Sequence, residues 1–223
     1  MSPTSRLRFG LLSILAWTGF IGSFTIEAFA LVVSPQTSPA YFGGHGTELA
    51  GALPRIWDNM SYFTLWSVFM VAFTSTYIYR NPNSTKYWLK VTRLSAILMT
   101  TISGVVWIVI LAPVADPQSW NVYTNIINHY LVPSFTVLFW LLFGPRNWIN
   151  WKIVRNALVI PIFYIFYTFI RGAFLHQYPY GFVNVEELGY LGALIGTLSV
   201  LVVGIVLLTI FFSIDKVLSK FSK

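Results

Sequence analysis

Three side chains in this sequence are placed where polar groups are rare. Thr64 lies in Tyr62-Phe63-Thr64-Leu65-Trp66-Ser67, at the start of an apolar run. His129 lies in Asn125-Ile126-Ile127-Asn128-His129, inside another. Glu27 closes a third, just before Ala28-Phe29-Ala30. A hydroxyl becomes a nucleophile when a base stands within about 3 Å to take its proton. An imidazole is such a base, and a carboxylate or amide can hold its ring. Thr64 as nucleophile and His129 as base would therefore support acyl transfer. Glu27 or Asn125 would orient the imidazole. Asn128, tyrosine hydroxyls or backbone N–H groups at a helix start would stabilise an oxyanion.

Each residue also has a plain structural reading. Ser and Thr in membrane helices commonly bond the carbonyl one turn back, and Ser67 shares a face with Thr64. A buried imidazole or carboxylate can serve only to join helices. The context of His129 is less ordinary. Asn125 stands four residues before it on the same face. Pro133 has no N–H, so the carbonyl of His129 loses its helical donor and a kink is expected.

The elements that must hold these groups are membrane spans. Of the 223 residues, 56% are hydrophobic and 9% charged, against about 25% charged in soluble domains. A water-facing surface cannot be built from so few charges. The aromatic share is 18%, which suits interfaces and helix packing, and mean hydropathy is +0.69. There is no cysteine, which excludes disulfides, thiolate catalysis and cysteine-ligated metals. His45, His129 and His176 fall in separate elements, so no metal site is expected, and the chemistry calls for no cofactor. Haem would want two facing intramembrane histidines.

Six runs are long enough to span: roughly Leu7–Val33, Ser61–Tyr79, Leu89–Val114, Val122–Phe143, Trp151–Ile170 and Gly189–Ile214. Loops with Pro and Gly separate them and leave no room for a second domain. The net charge of +7 resides mostly in short loops, a topology signal rather than a nucleic-acid footprint. Twelve of the 14 basic residues fall on one side; Arg55 and Arg171 fall on the other. The positive-inside bias then puts both termini in the cytoplasm. The expected fold is an all-α, six-span bundle in a cell membrane, as one domain. An alternative reading makes the first run a cleaved signal peptide ending at Ala28-Phe29-Ala30.

With this orientation the three polar residues share a level. At 1.5 Å per residue, Thr64 lies about 5 Å, His129 about 10 Å and Glu27 about 9 Å below the outer ends of their helices. One outer-leaflet pocket is expected. The fifth span adds Tyr164, Tyr167, Thr168 and Arg171 on one face, with Arg171 either snorkelling or clamping an anionic headgroup. Tyr178-Pro179-Tyr180-Gly181-Phe182 reads as an aromatic turn at the outer interface. Gly192 and Gly196 read as a packing pair.

At Tyr62-Phe63-Thr64, Ile127-Asn128-His129 with Val132-Pro133, and Gln177-Tyr178-Pro179-Tyr180, the chain resembles the androgen-induced membrane protein family and its bacterial six-span relatives. The matches run in order over most of the chain. The family's animal members are integral-membrane threonine hydrolases that cleave fatty acid esters of hydroxy fatty acids, using one Thr and one His. The resemblance implies that Thr64 and His129 fill these roles, that the partner is a fatty-acyl ester, and that the membrane is a bacterial plasma membrane. Bacterial relatives often carry an Asn one residue after the Ser of Phe-Thr-x-x-Ser; this chain has Val68 there. A different class of function uses the same residues without hydrolysis. In a small-solute or lipid transporter, or a sensor, Glu27 and His129 would bind a proton or substrate. The lack of an inverted repeat counts against transport. A scaffold subunit would use Gly192 and Gly196 for packing.

Overall fold

The structure is a computed structural model; it describes residues 3–32 and 38–221. Among these residues the secondary structure is helical, apart from one isolated bridge between Tyr41 and Tyr178. Nine α-helices follow in order: α1 (Pro3–Ala28), α2 (Ala52–Met60), α3 (Phe63–Arg80), α4 (Tyr87–Val106), α5 (Trp120–Asn125), α6 (Val132–Phe143), α7 (Trp151–Ala157), α8 (Val159–Leu175) and α9 (Val185–Lys220). α4 runs on through a π-turn at Trp107–Leu111, and a second π-turn, Ile126–Leu131, joins α5 to α6. α7 and α8 form one rod with a break at Leu158, just ahead of Pro161, which lacks the N–H that would bond back across the joint.

Five rods are long and apolar enough to cross a membrane: Thr4–Ala28, Tyr87–Leu111, Trp120–Phe143, Trp151–Leu175 and Val185–Lys220. Large apolar side chains such as Ile108, Val109, Phe163, Phe166, Ile195 and Ile205 point outward. A surface of this kind needs lipid around it. The chain is an all-α, multi-pass membrane bundle. α3 is not among the five. It is packed between α1 and α4, and it buries Thr64, Ser67, Thr74 and Ser75. Ser67 and Thr74 bond carbonyls of their own helix, which satisfies polar groups that hydrocarbon would not.

The expected spans agree with these rods to within a few residues at most ends. α1 ends at Ala28, followed by Ala30 in the left-handed region at φ 49°. The expected end at Val33 lies outside the described residues. The last rod starts earlier, at Val185, capped by the Asn184 side chain accepting the Glu186 N–H at 3.1 Å. It breaks at Gly189, whose φ of 66° suits glycine. Within it, Gly196 packs against the backbone carbonyl of Phe182 rather than against another helix.

Two ends of the bundle differ in chemistry. At one, Arg6 donates to the Tyr79 carbonyl at 2.8 Å, Arg8 lies over Phe143, and buried Asp215 accepts the N–H groups of Asn147 and Ile149. These contacts gather the start of α1 and the end of α9 with the α3–α4 and α6–α7 connections. At the other end lie Glu27, the segment 38–62 and the turn 176–184. α2 was not expected from the sequence, where residues 34–54 read as loop. Its outward residues, Leu53 and Trp57, continue a four-residue spacing from Leu49, and all three are exposed. Its inward residues, Arg55 and Asp58, are buried.

Candidate active site

The helices bring Thr64 and His129 together. Thr64 Oγ1 lies 3.1 Å from His129 Nε2 and 2.9 Å from Ser103 Oγ. Thr64 sits in the first turn of α3, where the helix presents its positive end. His129 comes from the π-turn that precedes Pro133. The missing N–H of Pro133 takes the form of this wide turn, as π-turns often do where function demands an off-register side chain. The imidazole lies flat on Trp107, with ring centroids 4.2 Å apart and planes at 20°. Trp107 itself opens the π-turn of α4 and donates to Tyr130 Oη at 3.1 Å. Gly104 lets α4 approach the backbone here; a Cβ would stand 3.3 Å from the His129 carbonyl. Ser103 and Trp107 were not singled out in the sequence. Their signal was faint: a small polar stretch, Ser103-Gly104, one turn before a tryptophan.

A cavity of about 540 Å³ opens beside this pair. Thr64, His129, Asn125, Asn128, Glu27 and Tyr180 all line it. Asn128 is 3% exposed and donates through Nδ2 to Ser23 Oγ at 3.0 Å. This ties the π-turn to α1, and Gly19 leaves the room. A Cβ on Gly19 would collide with the Asn128 amide oxygen and stand 2.8 Å from Ile127 Cγ2. Gly19→Ala is therefore expected to destabilise the bundle by about 1–3 kcal/mol, as overpacked cores do. Thermal unfolding in detergent checks this; an unchanged midpoint would mean that α1 and the π-turn separate freely.

Tyr180 reaches the site from the 176–184 turn. Its hydroxyl accepts the Phe63 N–H at 2.9 Å. The ring borders the cavity, but burial of the hydroxyl pushes its pKa up to about 12. It stays a neutral donor at physiological pH.

Other expected site residues have different tasks. Glu27 lines the cavity but makes no hydrogen bond to His129; its backbone carbonyl accepts from Arg55 Nε at 2.7 Å. Asn125 lines the cavity too, and only its backbone bears on the imidazole. His129 Nδ1 is buried and lacks a partner of good hydrogen-bond geometry. The expected side-chain orienter is thus absent among the described residues, and Trp107 fixes the ring by stacking instead. Ser67 donates to the Thr64 carbonyl at 2.7 Å and does not border the cavity.

The polar stripe of α8 grips the corner between α2 and α3. Tyr164 donates to the Ser61 carbonyl at 2.9 Å, and Tyr167 Oη lies 2.7 Å from Ser61 Oγ. Arg171 pairs with Asp58 at 2.5 Å and lies over Phe42 at 4.0 Å. It is committed to this pair and does not border the cavity, so it is not the free headgroup clamp that the sequence allowed. Asp58 also accepts the Gly43 N–H at 3.1 Å and lies 2.8 Å from His45 Nε2. Tyr178, expected at the outer interface, is 1% exposed. Its N–H donates to the Ala40 carbonyl at 3.0 Å, and its ring packs on Gly172. It fastens the turn that presents Tyr180. Among the described residues no group of three His, Asp or Glu side chains is placed to hold a metal.

No protein family, curated protein or solved structure matches the chain.

Proposed function

We propose that this protein is a membrane-embedded hydrolase of fatty-acyl esters, with Thr64 as nucleophile and His129 as general base. The observation that carries this reading is the 3.1 Å approach of Thr64 Oγ1 to His129 Nε2 at the wall of a cavity. In the first step His129 Nε2 takes the Thr64 proton as Oγ1 attacks the ester carbonyl. The tetrahedral oxyanion is stabilised by the Tyr180 hydroxyl and the positive first turn of α3. Its collapse leaves an acyl-Thr64, and His129 returns the proton to the departing alcohol. Water then attacks the acyl group, His129 again taking and returning a proton. Ser103, donating to Thr64 Oγ1, holds the hydroxyl in line. Leu111 and Val114 give the cavity an apolar wall for the acyl chain. The resemblance to integral-membrane threonine hydrolases supports the same assignment, with a bacterial plasma membrane as the location.

The topology belongs to the same proposal. α3, with 18 residues, is about 27 Å long, close to the roughly 30 Å of a bilayer core. It serves as a sixth span, and the basic end of the bundle, with both termini, faces the cytoplasm. The chain's lack of cysteine makes this simple to check. Thr85→Cys in intact cells should resist an impermeant maleimide, and Thr47→Cys should react. The opposite pattern overturns the orientation.

The functional test is covalent labelling by a lipophilic fluorophosphonate, with the modified residue mapped by mass spectrometry. Label on Thr64 supports the proposal; label that persists in Thr64→Ala removes it. Proton-coupled uptake of a solute without hydrolysis would favour a transporter, in which the same cavity holds a carried molecule.

A further inference from the structure

At the end of the bundle away from Thr64, positive charge outruns its partners. Twelve of the 14 Lys and Arg residues fall there, and Asp215 is the one acidic residue with them. Asp215 is fully buried and accepts the N–H groups of Asn147 and Ile149. Among the described residues, no Lys or Arg at this end forms an ion pair. Arg6 and Arg146 have carbonyls instead. Arg6 donates to Tyr79, and Arg146 to Trp140 and Leu141. These carbonyls belong to the last turns of α3 and α6, where a helix presents its negative end.

Arg8, Lys90 and Arg93 have only aromatic rings. Arg8 lies over Phe143 at 3.7 Å, Lys90 over Trp148 at 5.4 Å and Arg93 over Phe9 at 4.7 Å. None of the three side chains donates a hydrogen bond to a described residue. A ring face attracts a cation but leaves its N–H donors unspent. Arg93 is the sharpest case. It lies six residues inside α4, about 9 Å from its start, and is 5% exposed. Its Nε and Nη2 are buried without a partner, and a guanidinium cannot shed its charge. Topology asks for cations in loops, not for one enclosed among helices. An enclosed guanidinium with idle donors is costly unless an anion completes it.

The three rings lead to one place. Phe143 and Trp148 wall a crevice of about 390 Å³ between the start of α1, the α3–α4 connection and the α6–α7 connection. Phe9 packs in the same cluster as both. The crevice has two faces. Asn81, Asn83 and Thr85 make one polar, while Ile78 joins the two rings on the other. Cations above an amphipathic crevice between membrane helices suit a lipid whose headgroup is anionic and whose chains run along the spans.

Independently of the hydrolase reading, we propose that this crevice binds the phosphate of an anionic lipid headgroup, received by Arg8, Lys90 and Arg93. The lipid belongs to the leaflet that this end faces. It supplies the acceptors that the chain itself withholds, and it fastens α1 and α4 to the α6–α7 connection.

The test uses purified full-length protein, stripped of lipid in a zwitterionic detergent. Phosphatidylglycerol, phosphatidylcholine with the same acyl chains, and inorganic phosphate are titrated separately while thermal unfolding is followed. Phosphatidylglycerol is expected to raise the midpoint. Phosphatidylcholine, whose phosphate is balanced by its own cation, should need about tenfold more lipid for the same shift. Inorganic phosphate at the same concentrations should have no effect. Arg8→Gln, Lys90→Gln and Arg93→Met should each weaken the phosphatidylglycerol response about tenfold, the worth of one charge-assisted contact. Arg155→Gln removes an equal charge from an exposed position outside the cluster and should keep the response. Arg8 and Lys90 are only half-buried, so their variants decide the matter if Arg93→Met does not fold. Equal shifts with the two lipids, or an undiminished response in Arg8→Gln and Lys90→Gln, overturns the proposal. Equal protection by inorganic phosphate overturns the lipid as occupant and makes the site one for a soluble anion.

Discussion

His129→Ala is expected to lower ester turnover by about 10²–10⁴, the range that one general base contributes. Thr64→Ala should abolish covalent labelling altogether, because among the described residues no other hydroxyl is hydrogen-bonded to the imidazole: Ser103 touches Thr64, and Ser67 is bonded to the backbone. Neither change should unfold the protein. Thr64 makes two side-chain hydrogen bonds, each worth on the order of 1 kcal/mol net. Thr64→Ser keeps the hydroxyl and should keep the label. Turnover and labelling, with circular dichroism as the folding control, check this. A His129→Ala protein with full turnover would show that the imidazole only joins helices.

Asp58→Ala is expected to cost about 3–5 kcal/mol, the penalty for breaking a buried pair on one side. Its carboxylate is 10% exposed and Arg171 9%. Nε and Nη1 of Arg171 are already without partners, so losing Asp58 leaves the guanidinium with only the Phe42 face. His45 and the Gly43 N–H lose their acceptor at the same time. Because Tyr164 and Tyr167 hold Ser61, just beyond α2, the damage should reach the start of α3 and loosen Thr64. Adding Arg171→Met should recover much of the loss, since the orphaned charge goes too. Detergent unfolding curves for the two single variants and the double variant decide the matter. A cost of the single change below about 1 kcal/mol would class the pair with exposed ion pairs.

The rods of the bundle were legible because lipid exposure writes long apolar runs. Even so, α3 reads as the weakest run, since its neighbours are helices and its hydroxyls can bond inside the protein. The meeting of Thr64 with His129 was anticipated from their common depth and from the resemblance to threonine hydrolases. Lateral placement was not readable, because it depends on which helices pack. Pro133 announced a distortion, but not its width. α2 was missed because it is only nine residues long and carries Pro54, so its four-residue apolar spacing was read as part of a loop. Asp58 was missed with it, and so the partner of Arg171, 113 residues away in sequence, stayed hidden. Tyr178 was misplaced for a related reason: an aromatic turn looks interfacial until the segment that covers it, here Ala40 and Tyr41, is known.

The wide turn at Ile126–Leu131 carries a further implication about how such a site can be altered. An α-helix advances by roughly 100° per residue. One residue fewer between Trp120 and Pro133 would rewind this stretch into regular helix and swing His129 away from Trp107, even with every side chain of the pair retained. The alignment of imidazole and hydroxyl is thus encoded in a count of residues as much as in their identity. Lineages that gain or lose one position here would part the two side chains without losing either.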